Sequence, residues 1–231
     1  MPFFYMDYWY LILVVPTIII ALIAQTKVTT TFRKYSKQMG AMGFTAADVT
    51  RKILDSNGLY NVAVERVSGN LTDHYDPRTN VIRLSDSVYS SNSVAAIGVA
   101  AHEAGHAVQH AEKYLPIKVR NSIIPIANFG SSFAPIIIIF GILLSFEPLV
   151  WIGIILYSAI ALFQLVTLPV EFNASSRALS TLSSMAILSD DELRGSKKVL
   201  SAAAMTYVAA LISTLANLLR FILLARGRNR R

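Results

Sequence analysis

The chain contains no cysteine. Disulfides, thiolate metal ligands and a thiol nucleophile are therefore excluded, and any metal must be held by His, Asp or Glu. Histidine is scarce as well, with four in 231 residues. Only 15% of residues are charged against 54% hydrophobic, and mean hydropathy is +0.49. That balance excludes an ordinary soluble domain and suits an integral membrane protein carrying one modest polar domain. Acidic residues are outnumbered 14 to 21, giving a net charge of +7. The basic residues flank apolar runs, at 27–37, 118–120 and 226–231. They read as anchors at the membrane surface, so no nucleic-acid partner is expected. No apolar run carries a central Asp, Glu, Lys or His, apart from Arg220 near an end. A transporter would need such groups.

Read in order, residues 8–24 can span a bilayer, and 1–26 is expected to be an N-terminal transmembrane helix. A cleaved signal peptide is disfavoured, because no Lys or Arg precedes the run and Asp7 does. Lys27, Arg33, Lys34 and Lys37 follow it, which places residue 27 onward in the cytoplasm by the positive-inside rule. Residues 27–122 read as a small α+β domain. Thr45-Ala-Ala-Asp48 is a capping box opening a helix that Gly58 closes. Tyr60–Val67 reads as a strand. Leu71–Tyr75 and Val81–Leu84 flank the turn cluster 76–80, predicting a hairpin, and Ser93 caps a helix expected to reach about Lys113. Two apolar segments, 123–146 and 149–169, are broken by Glu147-Pro148 and form a transmembrane hairpin over 123–170. Residues 171–198 are polar again, and 199–231 is an apolar run with a basic tail. As a simple span that last run would put four terminal arginines outside; lying in the interface and packing on the polar domain are the open alternatives.

The residues that carry chemistry are His102, Glu103 and His106, in the H-E-x-x-H pattern of zinc peptidases. Residues four apart on a helix stack on one face, so two imidazoles can reach one Zn²⁺. Glu103 then stands beside the metal without capping it, placed to take a proton from an attacking water. The surrounding Ala, Gly and Val residues imply a buried helix, and such a helix does not carry three polar ionisable groups without a partner.

A catalytic zinc needs a third protein ligand. His110 continues the series but lies about 12 Å from His102 along a helix axis, too far for one tetrahedral ion. A turn could return it, as in H-E-x-x-H-x-x-G-x-x-H, but Gln109 occupies the glycine position and His110 comes one residue late. His74 reads as an ordinary strand or turn residue, or as an oxyanion donor, with metal ligand as the weaker functional alternative. Glu171, two residues after Pro169, is either a ligand on a second helix or a helix-start carboxylate favoured by the macrodipole. Spacing leaves both readings open.

Ala-Ala-His-Glu-Ala-Gly-His-Ala, Leu-Thr-Asp-His-Tyr-Asp-Pro-Arg-Thr and Leu-Pro-Val-Glu-Phe-Asn-Ala-Ser together resemble the bacterial YugP-like family of membrane zinc metallopeptidases, over nearly the whole chain. Glu171-Phe-Asn-Ala-Ser-Ser-Arg-Ala178 is more distantly similar to E-F-x-A-D-x-x-A of the HtpX-like and CAAX-prenyl-protease families. The resemblance implies that Glu171 is the third ligand, in a gluzincin-like set. Ser175 departs from the Asp of the distant families, which leaves open how His102 is supported. Arg177 is then a candidate for contact with substrate, the transition state or lipid phosphate.

The resulting expectation is a mainly α membrane protein. It has a zincin-like α+β catalytic domain with a small sheet, three or four transmembrane helices, and 171–198 as the helix bearing the third ligand. The function expected is a Zn²⁺-dependent endopeptidase of a bacterial cell membrane, facing the cytoplasm, with Glu103 as general base and an edge strand at Val81–Leu84 that pairs with extended substrate. Its partners would be peptides or proteins, membrane proteins among them, and the bilayer; oligomeric state is not legible. The contrasting reading is an inactive membrane scaffold with a structural zinc. A closed site of that kind needs a fourth protein ligand, and it gives Glu103 no task.

Overall fold

The computed structural model describes residues 7–228. The expected basic tail is therefore covered only in part, with Arg230 and Arg231 outside the described residues. A π-helical stretch, Tyr10–Val14, leads into α1 (Val15–Tyr35). Then come α2 (Ala46–Ser56), β1 (Ala63–Val67), β2 (His74–Asp76), β3 (Val81–Ser85), α3 (Val94–Ala111), α4 (Leu115–Leu143), α5 (Glu147–Ser184) and α6 (Asp190–Arg228). Internal packing divides the chain into two compact units, one of residues 1–24, 118–169 and 205–231, the other of 25–117 and 170–204.

Among the described residues four helices are long and apolar enough to cross a membrane: Tyr10–Tyr35, Leu115–Leu143, Glu147–Ser184 and Asp190–Gly227. Only 17–28% of their most apolar windows is buried within the protein, so most of that surface is left for lipid. In the first unit Ile138, Val150, Ile154 and Ala225 pack together with Phe221 and Ile222. Arg220 is not a lone charge: its Nε and Nη2 donate to Asp7 Oδ2 at 2.8 and 2.6 Å. Pairing of this kind is what an ionisable group needs at membrane depth.

In the second unit local signals set the elements. Thr45 N–H donates to Asp48 Oδ2 at 3.0 Å and Asp48 N–H to Thr45 Oγ1 at 3.2 Å, closing the expected capping box. Gly58 takes φ +71° just past the helix, a conformation that favours glycine. Ser93 Oγ accepts from Ala96 N–H at 3.3 Å at the start of α3. Asp76 closes the β2–β3 turn, accepting from Arg78 N–H at 2.9 Å and Thr79 Oγ1 at 2.8 Å. These bonds, that of the Thr79 hydroxyl foremost, hold its carboxyl down at about 2. The core joins Val49, Ile53 and Leu54 of α2, Ile82 and Leu84 of β3, Ile97, Ala100, Ala101 and Ala104 of α3, and Leu182 of α5.

Two expectations change. The sheet order is β1-β3-β2, with β1 parallel and β2 antiparallel to β3. Val81–Leu84 is therefore the central strand, paired on both sides, and offers no free edge. Its buried Val81, Ile82 and Leu84 suit that place, because a strand covered on both faces reads as a continuous apolar run. The edge strand beside α3 is β2. Nor does Pro169 open a new helix. It lies inside α5, which runs from Glu147 past Glu171 to Ser184, so the helix expected over 171–198 is instead the end of α5 and the start of α6. Proline forfeits one backbone bond there, and in an apolar segment the other bonds of the helix are too costly to abandon.

Candidate metal centre

Two helices build the site. His102, Glu103 and His106 project from α3, and Glu171 from α5. The ligand atoms of His102, His106 and Glu171 all lie within 4.8 Å of one another. The two Nε2 atoms are 3.1 Å apart, and Glu171 Oε2 stands 3.3 Å from that of His102 and 3.7 Å from that of His106. Zinc–ligand bonds of 2.0–2.1 Å at tetrahedral angles would set donors about 3.3 Å apart. The spacing fits that ion.

Donor chemistry makes a second test. His106 Nδ1 faces Gln109 Oε1 at 3.0 Å, and His102 Nδ1 faces Ser175 Oγ at 3.1 Å. With Nδ1 of each ring engaged, the Nε2 atoms converge on a buried carboxylate, a cluster of electron pairs that requires a shared cation or proton. Burial disfavours the imidazolium of His106. The hydrogen bond to Glu171, with the charges of Glu103 and Glu171, outweighs this and raises the ring's pKa above its usual value. A metal ion held by these groups would displace that proton, because metal-ligating groups must be deprotonated.

Close approach of the helices depends on Gly105. A Cβ there would come within 2.8 Å of the Ala174 carbonyl oxygen. Glu103 is buried, and its Oε2 accepts from the Tyr75 N–H of β2 at 3.0 Å. Asp73, in the same segment, accepts from Ser85 N–H at 2.7 Å and Ser85 Oγ at 2.9 Å. Burial, with help from the charge of Glu103, nevertheless raises its carboxyl above the usual range. Ser175 also lines an open cavity of about 680 Å³ with Phe172, Leu179, Arg194, Lys197 and Leu200.

Other sequence candidates lie apart from the three ligand atoms. His110 sits in the last turn of α3 with its ring against Tyr75, centroids 6.0 Å apart. His74 is exposed, its Nδ1 on the Thr72 carbonyl at 2.8 Å. Arg177 bonds Asn173 Oδ1 at 2.7 Å and Glu112 at 2.7 Å. Sequence reasoning missed Tyr75, Gln109 and Asn173. Gln109 alone carried a signal, a further long polar side chain beside the motif on a helix whose remaining residues are mostly small and apolar.

Among known proteins, the family model described as "Putative neutral zinc metallopeptidase" matches residues 10–226. "Putative membrane protease YugP" of Bacillus subtilis (strain 168) is 52% identical over 201 residues, covering 87% of this chain and 89% of that protein. No solved structure matches the chain significantly.

Proposed function

Because the chain belongs to the neutral zinc metallopeptidase family, we propose that it is an integral membrane endopeptidase whose zinc is held by His102, His106 and Glu171 and whose general base is Glu103. The observation that carries this reading is the convergence of two imidazole nitrogens and one carboxylate oxygen at 3.1–3.7 Å, from two helices. When bound, zinc supplies a Lewis acid that polarises the scissile carbonyl and lowers the pKa of water.

The protein's own groups do the rest. Tyr75 N–H fixes one oxygen of Glu103 and leaves Oε1 to the reacting water. That oxygen takes a proton as the water oxygen bonds to the carbonyl carbon. It returns the proton to the amide nitrogen as the C–N bond breaks, so that an acid and an amine leave. Gln109 and Ser175 keep the two imidazoles turned toward Glu171. Peptide substrates, membrane proteins among them, suit a chain with four lipid-compatible helices.

The basic cluster Lys27, Arg33, Lys34 and Lys37 after the first apolar run favours a cytoplasmic catalytic unit in a bacterial cell membrane. The test of mechanism is Glu103→Gln, which keeps the shape and cannot accept the proton. It should retain zinc and lower peptide cleavage at least about 10²-fold. Cleavage near the parental rate would refute the assignment of the base.

A further inference from the structure

Gln109 is fully buried, and each polar atom of its side chain is used. We propose that Arg177, Asn173 and Gln109 form an orientation relay that fixes which ring nitrogen of His106 carries the proton and holds Glu171 against it. All three are positioning residues, and their role rests on the reading of His106 and Glu171 as ligands.

The argument is one of donors and acceptors. A guanidinium only donates. Arg177 Nε lies 2.7 Å from one terminal atom of the Asn173 amide, so that atom is the oxygen. Gln109 reaches the same oxygen at 2.9 Å with one end of its own amide, and the Val170 carbonyl at 2.9 Å with that same end. Both targets only accept here, so the end is Nε2 and supplies both of its hydrogens. The other end, Oε1, is then the atom 3.0 Å from His106 Nδ1. An amide oxygen only accepts. Nδ1 therefore carries the hydrogen, and Nε2 presents its electron pair toward Glu171.

The relay also grips the ligand-bearing turn. Val170 precedes Glu171 and Asn173 follows it by two, so Gln109 of α3 holds α5 on both sides of the carboxylate. Arg177 in turn is tied to Glu112 at the end of α3 by a 2.7 Å ion pair. The chain of bonds thus leaves α3 at Glu112, runs along α5 and returns to α3 at Gln109.

The experiment uses the full chain in detergent, with zinc affinity measured by chelator competition. The ring tautomer of His106 is read by ¹⁵N NMR on metal-free protein at alkaline pH. Gln109→Leu should weaken zinc binding about 10–100-fold, the usual scale for losing a partner of a ligating histidine, and should move His106 away from the Nδ1–H form. Should that variant not fold, Asn173→Leu, at a partly exposed position, is the second test and should lose at least about tenfold. Asn173→Asp keeps an acceptor for both neighbours and should stay within about threefold of the parent. A purely steric role would not move the tautomer signal. If Gln109→Leu keeps parental zinc affinity and the Nδ1–H signal while His106→Ala loses the metal, the relay is wrong and the site stands. If His106→Ala keeps its zinc, the site itself is wrong and the relay falls with it.

Discussion

Gly105→Ala gives the sharpest test of how the two helices make the metal centre. The added Cβ would stand 2.8 Å from the Ala174 carbonyl oxygen and 3.4 Å from the Ala174 Cα. A carbon and a carbonyl oxygen settle at about 3.3–3.6 Å, so α3 and α5 must part by roughly 0.5–0.8 Å at this point. The obstacle is backbone and cannot rotate away. Ala174 is flanked by Asn173 and Ser175 and lies three residues from Glu171, so the displacement falls on the spacing between Glu171 and the two histidines. A metal site tolerates about 0.2 Å in its bond lengths. Stability is a poor reporter, because alanine gains about 1 kcal/mol of helix propensity while overpacking costs about 1–3 kcal/mol. Zinc affinity should fall about 10–100-fold, as when a supporting contact to a ligand is lost. Gly98→Ala on the same helix is the control. Its Cβ would meet the Ser196 hydroxyl, which has no hydrogen-bond partner among the described residues and can turn aside, and the Ser196 Cβ at 3.2 Å; the remaining displacement falls on α6, which carries none of His102, His106 and Glu171, so zinc affinity should be preserved. Parental affinity in Gly105→Ala would refute the view that close helix approach sets the ligand geometry.

Zinc per chain after dialysis against a weak chelator should be one for the parent and for His110→Ala, and near zero for His102→Ala, His106→Ala and Glu171→Ala; loss in His110→Ala with retention in Glu171→Ala would overturn the ligand set. Asp76 has a folded pKa of about 2 against 3.8 for the free group, so its stabilisation is present above about pH 4 and is lost as pH falls toward 2. The melting temperature of the parent should therefore exceed that of Asp76→Asn at neutral pH, and the gap should close in acid; a gap that is constant with pH would contradict the assignment. The chain has no cysteine, so Ser90→Cys, at an exposed position, creates a single thiol. In intact cells it should resist a membrane-impermeant thiol reagent and react after lysis, whereas reaction before lysis would place residue 90 and the unit that carries it outside.

The sequence by itself determined what is local. The i, i+4 histidines with Glu103 between them, the capping box at Thr45, the Ser93 cap, the Asp76 turn and the apolar lengths each rest on residues a few positions apart. Helix and turn geometry fix their consequences without knowledge of the rest of the chain. The rejection of His110 was equally local, since it follows from helical rise alone. What needed tertiary structure is whatever joins distant residues. Spacing left Glu171 with two readings, and which groups its carboxylate meets, His102 at 3.3 Å among them, depends on how α5 packs on α3. Strand order depends on pairing partners, so an apolar run such as Val81–Leu84 does not reveal whether it is an edge or a centre. The Asp7–Arg220 pair spans 213 positions and has no sequence signature. Gln109 read as an absent glycine in a motif that did not apply. Its use became visible only when the Val170 carbonyl and Asn173 arrived from another helix, because a buried amide takes its meaning from the partners that satisfy it.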